Sequence, residues 1–367
     1  MELNQLSYQA IKADNSYCHS NRIDPVELLS AVFIVVVLFL HHRGYTTDYS
    51  WLLPKYKITL FLQKLSIGGF IFLSGFKLAK SKLSEPARSF AINRFFRIYL
   101  LYLLALIVFS FTAYPHLNKG AFPSWPNFIL HAFCIQSIVP YMIQRNYHTL
   151  WFVSILFCCY GFFVLTREAL RMPYFFFVVL LIALLCIFAI HHIGAMYDVN
   201  IFQRYLNTYL AFFAFGMIYS KIQKRIDILN VKLLLCLFLV GFLGLTLLYN
   251  TIRINTWYES LTEFFLILIS TLPLYCITFK MAPKLYLSNQ VVRALKCISY
   301  SSLCIFLFHR PIWAVMETTW DSRSFYQWLF IMVIGIPTIF TLSYVTQSTY
   351  DRIIVNIRHK KAPQPTR

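Results

Sequence analysis

The chain is 367 residues long, 59% of them apolar and only 13% charged, where a soluble domain carries about 25% charged residues. Side chains this apolar cannot all be hidden inside soluble folds of this size, which excludes a soluble enzyme, a disordered protein and a collagen-like chain. The 33 Lys and Arg against 14 Asp and Glu give a net charge of +19; in a polytopic membrane protein such an excess belongs to cytoplasmic loops rather than to a nucleic-acid surface.

Residues Met1 to Asp24 are mixed polar and do not read as a signal peptide, since no short apolar core precedes a small-residue cleavage site. Eleven apolar stretches near spanning length follow, centred on 25–42, 60–79, 97–115, 126–143, 149–166, 173–190, 205–220, 231–250, 258–279, 297–316 and 326–347. A bilayer core of about 30 Å needs about 20 helical residues. Strands of a membrane barrel would alternate apolar and polar residues, and these stretches do not. Seven of the nine cysteines (Cys134, Cys158, Cys159, Cys186, Cys236, Cys276 and Cys304) fall inside them without a C-x-x-C pair or a Cys/His zinc spacing, so packing is the expected role and no metal is expected.

Basic residues set the orientation. Lys80, Lys82, Arg88, Arg94 and Arg97 follow the second stretch; Lys221, Lys224, Arg225 and Lys232 form a second basic loop, and Lys280, Lys284, Arg293 and Lys296 a third. The tail adds Arg352, Arg358, Lys360, Lys361 and Arg367. All should be cytoplasmic. Eleven crossings would put the Lys221 loop outside, whereas ten put every basic loop inside. The stretch 126–143 is the most polar candidate, holding His131, Gln136, Ser137 and Pro140, and is read as a re-entrant or interfacial segment. The expected fold is an all-α polytopic membrane protein: about ten transmembrane helices, one re-entrant or interfacial segment and both termini cytoplasmic. It is organised as a cytoplasmic segment 1–24, one membrane domain 25–350 and a basic tail 351–367.

Ionisable residues are expensive in lipid and are candidates for function. The outer ends of the spans collect His41, His42, Arg43, His148, His191, His192, Glu259, Glu263, His309 and Glu317. For His148, His191 and His192 an interfacial role at a helix end weighs heavily. His41 ends the unbroken apolar run Val32–Leu40, and His309 follows the apolar run Cys304–Phe308. An imidazole in such a setting suits general acid–base work near neutral pH. On the inner side Arg94 and Arg97 lie at i, i+3 on one helix face; two guanidiniums there can make a bidentate phosphate site, although on these residues alone positive-inside anchoring weighs more heavily. Ser74-Gly75 is a small-residue step in an aromatic span; it suits close helix packing or the lining of a tunnel.

In order, these landmarks resemble acyltransferase family 3, the bacterial integral-membrane O-acyltransferases acting on glycans. The matching segments are Val-Val-Val-Leu-Phe-Leu-His41-His42, Phe70-Ile-Phe-Leu-Ser74-Gly75-Phe76 and Arg94-Phe-Phe-Arg97-Ile-Tyr99. They continue with His148-Thr-Leu-Trp151-Phe-Val153, Tyr209-Leu-Ala-Phe-Phe-Ala-Phe-Gly216 and Ile298-Ser-Tyr-Ser-Ser-Leu-Cys-Ile-Phe-Leu-Phe-His309-Arg-Pro311. The likeness covers roughly residues 25 to 350. Two places depart from it: Glu27-Leu-Leu-Ser-Ala31 holds no Arg, and no Glu follows Trp151 within Phe-Val-Ser-Ile-Leu-Phe-Cys-Cys159. Glu259 or Glu263 is the candidate substitute for that Glu.

The resemblance implies transfer of an acyl group, usually acetyl, from acetyl-CoA to a hydroxyl of an envelope polysaccharide or its lipid-linked precursor, in the bacterial inner membrane. His41 (or else His42) is implied as the catalytic base, with His309 and His148 beside it; Arg94, Arg97 and Ser74 are implied to hold coenzyme A. A ping-pong route with acyl resting on His41 is the competing mechanism. A glycan-lipid flippase would need Lys and Arg inside the spans, where only Lys64, Lys77 and Arg310 approach that; a polysaccharide polymerase would need large outer loops, and the outer loops are short.

Overall fold

The computed structural model describes residues 23–41, 56–81, 85–143, 147–197, 205–226, 228–251, 257–319 and 325–361. The chain before Ile23, His42, Arg43, Lys82 and Arg367 lie outside the described residues, as do the side chains of His148, His191, Arg358, Lys360 and Lys361. Every regular element among the described residues is helical, as lipid solvation requires: a helix satisfies its own backbone groups where no water can.

The elements are α1 (Pro25–His41), α2 (Tyr56–Ser81), α3 (Ala87–Phe111), α4 (Trp125–Ala132), α5 (Trp151–Thr166), α6 (Pro173–Met196), α7 (Leu206–Ile226), α8 (Val231–Thr251), α9 (Trp257–Met281) and α10 (Asn289–Thr319). The last, α11, runs from Phe325 to Lys361 through a π-turn at Ile331–Gly335. Seven of these, α2, α3, α6 and α8 to α11, are long and apolar enough to cross a membrane; α1 and α5 are shorter apolar helices. The helix α7 is buried almost throughout Leu206–Tyr219 and ends in Lys221, Lys224 and Arg225.

The segment 126–143 holds only α4, eight residues long, followed by turns and a single 3-10 turn at Pro140–Met142. Eight residues rise about 12 Å, too little to cross. Its polar groups explain the arrest. The His131 ring bonds the Asn127 carbonyl at 2.8 Å and lies against the Tyr147 ring, while the Tyr102 hydroxyl donates to the His131 carbonyl at 2.6 Å. The backbone turns at Cys134, whose φ is 57°, and Ser154 of α5 donates to its carbonyl.

Contacts between helix ends sort them into two sets. On one side, Arg167 after α5 donates to the Glu85 carbonyl before α3, Lys280 of α9 donates to the Leu229 carbonyl at 2.6 Å, and Tyr300 of α10 donates to Asp351 of α11 at 2.7 Å. On the other, His116 beyond α3 meets Glu317 at the end of α10 at 2.9 Å. Because α3 leaves the first side and α5 returns to it, the chain between them begins and ends on the second.

The helix α2 lies at the centre: it packs along α7 and against α1, which in turn packs on α10, and α11 covers α10. The helices α8, packed on α9, and α6 stand at the edge; α6 exposes Phe175, Phe177, Leu181 and Ile182, a lipid-facing apolar surface. Glycines set the α2–α7 crossing. A methyl group on Gly75 would overlap the Phe213 carbonyl, and one on Gly216 would overlap the Phe72 carbonyl. Each helix therefore presents its glycine to the other's backbone, the close approach that small residues permit in membranes. Gly75 and its neighbour Ser74 thus divide the two expected roles: Gly75 packs, and Ser74 faces a cavity described below.

Gly75→Ala and Gly216→Ala are each expected to lower the thermal midpoint of the detergent-solubilised protein, at an over-packing cost of about 1–3 kcal/mol. Gly161→Ala on α5, where an added methyl would meet no atom within 4 Å, should leave the midpoint unchanged or raise it. Equal midpoints for all three variants would contradict the crossing.

Candidate functional site

The two histidines singled out by their apolar surroundings meet. His41, the last residue of α1, and His309, on α10, share a hydrogen bond of 2.9 Å between His41 Nδ1 and His309 Nε2, their rings stacked at 5.1 Å and 6°. His309 is fully buried, and its Nδ1 lies 3.0 Å from the Ile305 carbonyl. A carbonyl only accepts, so His309 carries its proton on Nδ1 and offers the Nε2 lone pair. His41 Nδ1–H must then be the donor to that lone pair. This fixes the His41 tautomer and leaves the basic lone pair on its Nε2. The far face of His309 is closed by Trp313, edge-on at 5.4 Å.

Pro311 follows His309 by two residues on α10. It lies inside the helix and, lacking an N–H, removes one backbone hydrogen bond of the ladder.

A cavity of about 580 Å³ lies below the pair. Its wall is built from the start of α1 (Asp24, Ser30), from α2 (Phe70, Ser74, Lys77, Lys80), from α3 (Arg94, Arg97), from α5 (Phe152, Tyr160) and from α10 (Ser302, Phe306). Arg94 and Arg97 thus reach one space together, joined by Lys77 and Lys80. The Arg94 guanidinium stands over the rings of Phe90 at 5.2 Å and Tyr160 at 5.4 Å, which holds the cation in place by its attraction to the ring faces. Ser74 Oγ donates to the Tyr160 hydroxyl at 3.4 Å.

Directly after Arg94, α3 changes to a π-turn, Phe95–Tyr99, which contains Arg97. Such a turn disturbs the ladder of backbone bonds and is frequent at functional sites. Here the Phe96 carbonyl accepts a bond from the Tyr350 hydroxyl of α11, so the irregular turn is braced from a second helix.

The cavity stops short of the histidines. Its end nearest to them is formed by Phe70, Phe152 and Phe306, and Phe306 precedes His309 by three residues, a rise of about 4.5 Å. Ser30 lies 11 residues before His41 on α1, about 16 Å along the axis.

The remaining expected residues are distributed as follows. His148 opens a 3-10 turn, His148–Leu150, directly before α5. His192 is exposed on α6. Glu263 accepts a bond from the Tyr249 hydroxyl at 2.7 Å and a longer one from Tyr205 at 3.5 Å. Lys64 is buried beside it, its ammonium over the Tyr205 ring, and Tyr209 packs against Trp151 at 5.6 Å. Glu263 thus accepts bonds from tyrosine hydroxyls, while His41 bonds His309. Sequence reading missed Lys77 and Lys80 as cavity residues. Their spacing from Ser74, i+3 and i+6 on one helix, was the available signal.

Neither curated proteins nor solved structures give a match to the chain. Comparison with protein families matches residues 24–347 to the family described as an acyltransferase domain. The match takes in α1 to α10 and most of α11, with Arg94 and Arg97 on the cavity wall and the His41–His309 pair beyond its end: the chain belongs to acyltransferase family 3.

Proposed function

We propose that this membrane acyltransferase transfers an acetyl group from acetyl-CoA to a hydroxyl of an envelope polysaccharide or its lipid-linked precursor. The observation that carries this reading is one cavity with four cations at its mouth, Lys77, Lys80, Arg94 and Arg97, and its other end one helical turn from the His41–His309 pair. Coenzyme A has the matching shape: phosphates at one end and a thioester at the end of a slender arm. Arginine binds phosphate in a forked, charge-assisted geometry, and Ser74 and Tyr160 stand along the path of the arm.

The chemistry then follows from the tautomers. His41 Nε2 removes the proton of the acceptor hydroxyl as its oxygen attacks the thioester carbonyl. Positive charge develops on His41, and the His309 Nε2 lone pair accepts the Nδ1–H bond of that imidazolium. The tetrahedral intermediate collapses, the carbon–sulfur bond breaks, and the leaving thiolate takes the proton back from His41. His148 is assigned to orienting the acceptor or steadying the oxyanion. The dry interior strengthens each of these contacts and protects the thioester from water.

The topology fits this division. With α1 to α3 and α5 to α11 crossing, ten spans place both termini and all basic loops in the cytoplasm, where acetyl-CoA is made. The histidine pair then faces the outer half of the bacterial inner membrane, where a glycan acceptor is presented. The two sets of helix ends joined by Arg167–Glu85, Lys280–Leu229 and His116–Glu317 support that alternation. Reporter fusions should place the C-terminus inside; an external C-terminus would overturn the topology.

His41→Ala is expected to reduce O-acetylation about 10²- to 10⁴-fold, the usual contribution of a positioned general base. His309→Ala should cost roughly ten- to hundredfold, the worth of a hydrogen bond to a charged group at about 1.5–3 kcal/mol. Full acetylation in the His41 variant, read by NMR of the surface polysaccharide, would sink the mechanism. Acyl-protein trapped with donor alone would replace it by the ping-pong route. Arg94→Ala and Arg97→Ala should each raise KM for acetyl-CoA roughly tenfold with a smaller effect on kcat; an unchanged KM would remove their role.

A further inference from the structure

The donor cavity and the histidine pair are separated by aromatic rings. Phe152 of α5 and Phe306 of α10 touch with centroids 4.7 Å apart, and Phe70 of α2 stands 6.5 Å from Phe152. All three line the cavity on one side. On the other, Phe306 meets the His309 ring edge-on at 6.2 Å. Phe152 and Phe306 are buried, and each ring sits on a different helix, so the pair is fixed by the bundle rather than by one flexible loop.

A thioester reaching the acceptor oxygen must come within about 3–3.5 Å of it, which carries the acyl carbons into the space these rings occupy. Two carbons demand little of that space, and each further methylene must displace ring surface in a packed interior.

We infer that Phe152 and Phe306 gauge the acyl chain, restricting transfer to acetyl and rejecting longer acyl groups. This inference rests on the reading of the cavity as the acyl-CoA site. Discrimination by a hydrophobic pocket amounts to roughly ten- to hundredfold per methylene, so that is the preference expected for acetyl over propionyl.

The test uses the full-length protein in membranes of its source cells, which hold the acceptor. Labelled acetyl-, propionyl-, butyryl- or hexanoyl-CoA is added, and label in the polysaccharide fraction is counted after subtracting a deletion strain. Phe152→Ala and Phe306→Ala should each narrow the acetyl-to-butyryl ratio by roughly tenfold or more. Phe152→Leu and Phe306→Leu, milder changes that keep the core filled, should shift the ratio in the same direction if the alanine variants do not accumulate. A wild-type protein that transfers hexanoyl as well as acetyl, or variants with the wild-type ratio, overturns the gauge alone. A wild-type protein that transfers no acyl group from any of the four donors overturns the acyl-CoA reading and the gauge with it.

Discussion

One hydrogen bond, between imidazoles 268 residues apart in the chain, ties the first helix to the tenth. It can exist only because α1 and α10 lie side by side and because the Ile305 carbonyl has already claimed the other nitrogen of His309. In water such a bond would be worth little, since each ring would find a solvent partner. In the bundle interior an unpaired imidazole nitrogen carries the full cost of its lost hydration, so the three groups hold one another in register. The direction of the donor chain, from His41 to His309 to the backbone, is a consequence of the carbonyl at its end. Basicity is thereby placed at His41 Nε2.

The same shortage of water arranges the rest of the polar inventory. Lys77, Lys80, Arg94 and Arg97 do not scatter into lipid but converge on one cavity, and Arg94 rests on aromatic faces that neither donate to it nor compete for its N–H groups. Glu263 and the tyrosines around it form a separate buried cluster beside Lys64. The bundle thus has cations at one end, an imidazole pair and a carboxylate cluster toward the other, and aromatic rings between.

Much of this was legible in the amino-acid order, for identifiable reasons. Apolar runs of spanning length are set by bilayer thickness, so every long helix coincides with a predicted stretch. Charge balance required one stretch between Arg97 and Lys221 not to cross, polar residues pointed to 126–143, and the α-helix found there is only eight residues long. His41 and His309 stood out because each ends or interrupts a run with no other polar residue. Their contact was not legible, since no local periodicity relates residues that far apart. The π-turn at Phe95–Tyr99 was also invisible: it depends on the Tyr350 hydroxyl reaching Phe96 from α11, a tertiary contact. The Ser74-Gly75 step carried two meanings at once, and only the position of α7 decides which residue serves which.

That step also links packing to chemistry. Gly75 and Gly216 bring the backbones of α2 and α7 together. The same approach fixes the rotation of α2, and with it the face carrying Phe70, Ser74, Lys77 and Lys80 toward the cavity. A wider crossing would let α2 roll. The cations would then move relative to Arg94 and Arg97, and Phe70 relative to Phe152. The close contact that stabilises the α2–α7 crossing therefore also bears on how the cavity-lining face of α2 is aligned.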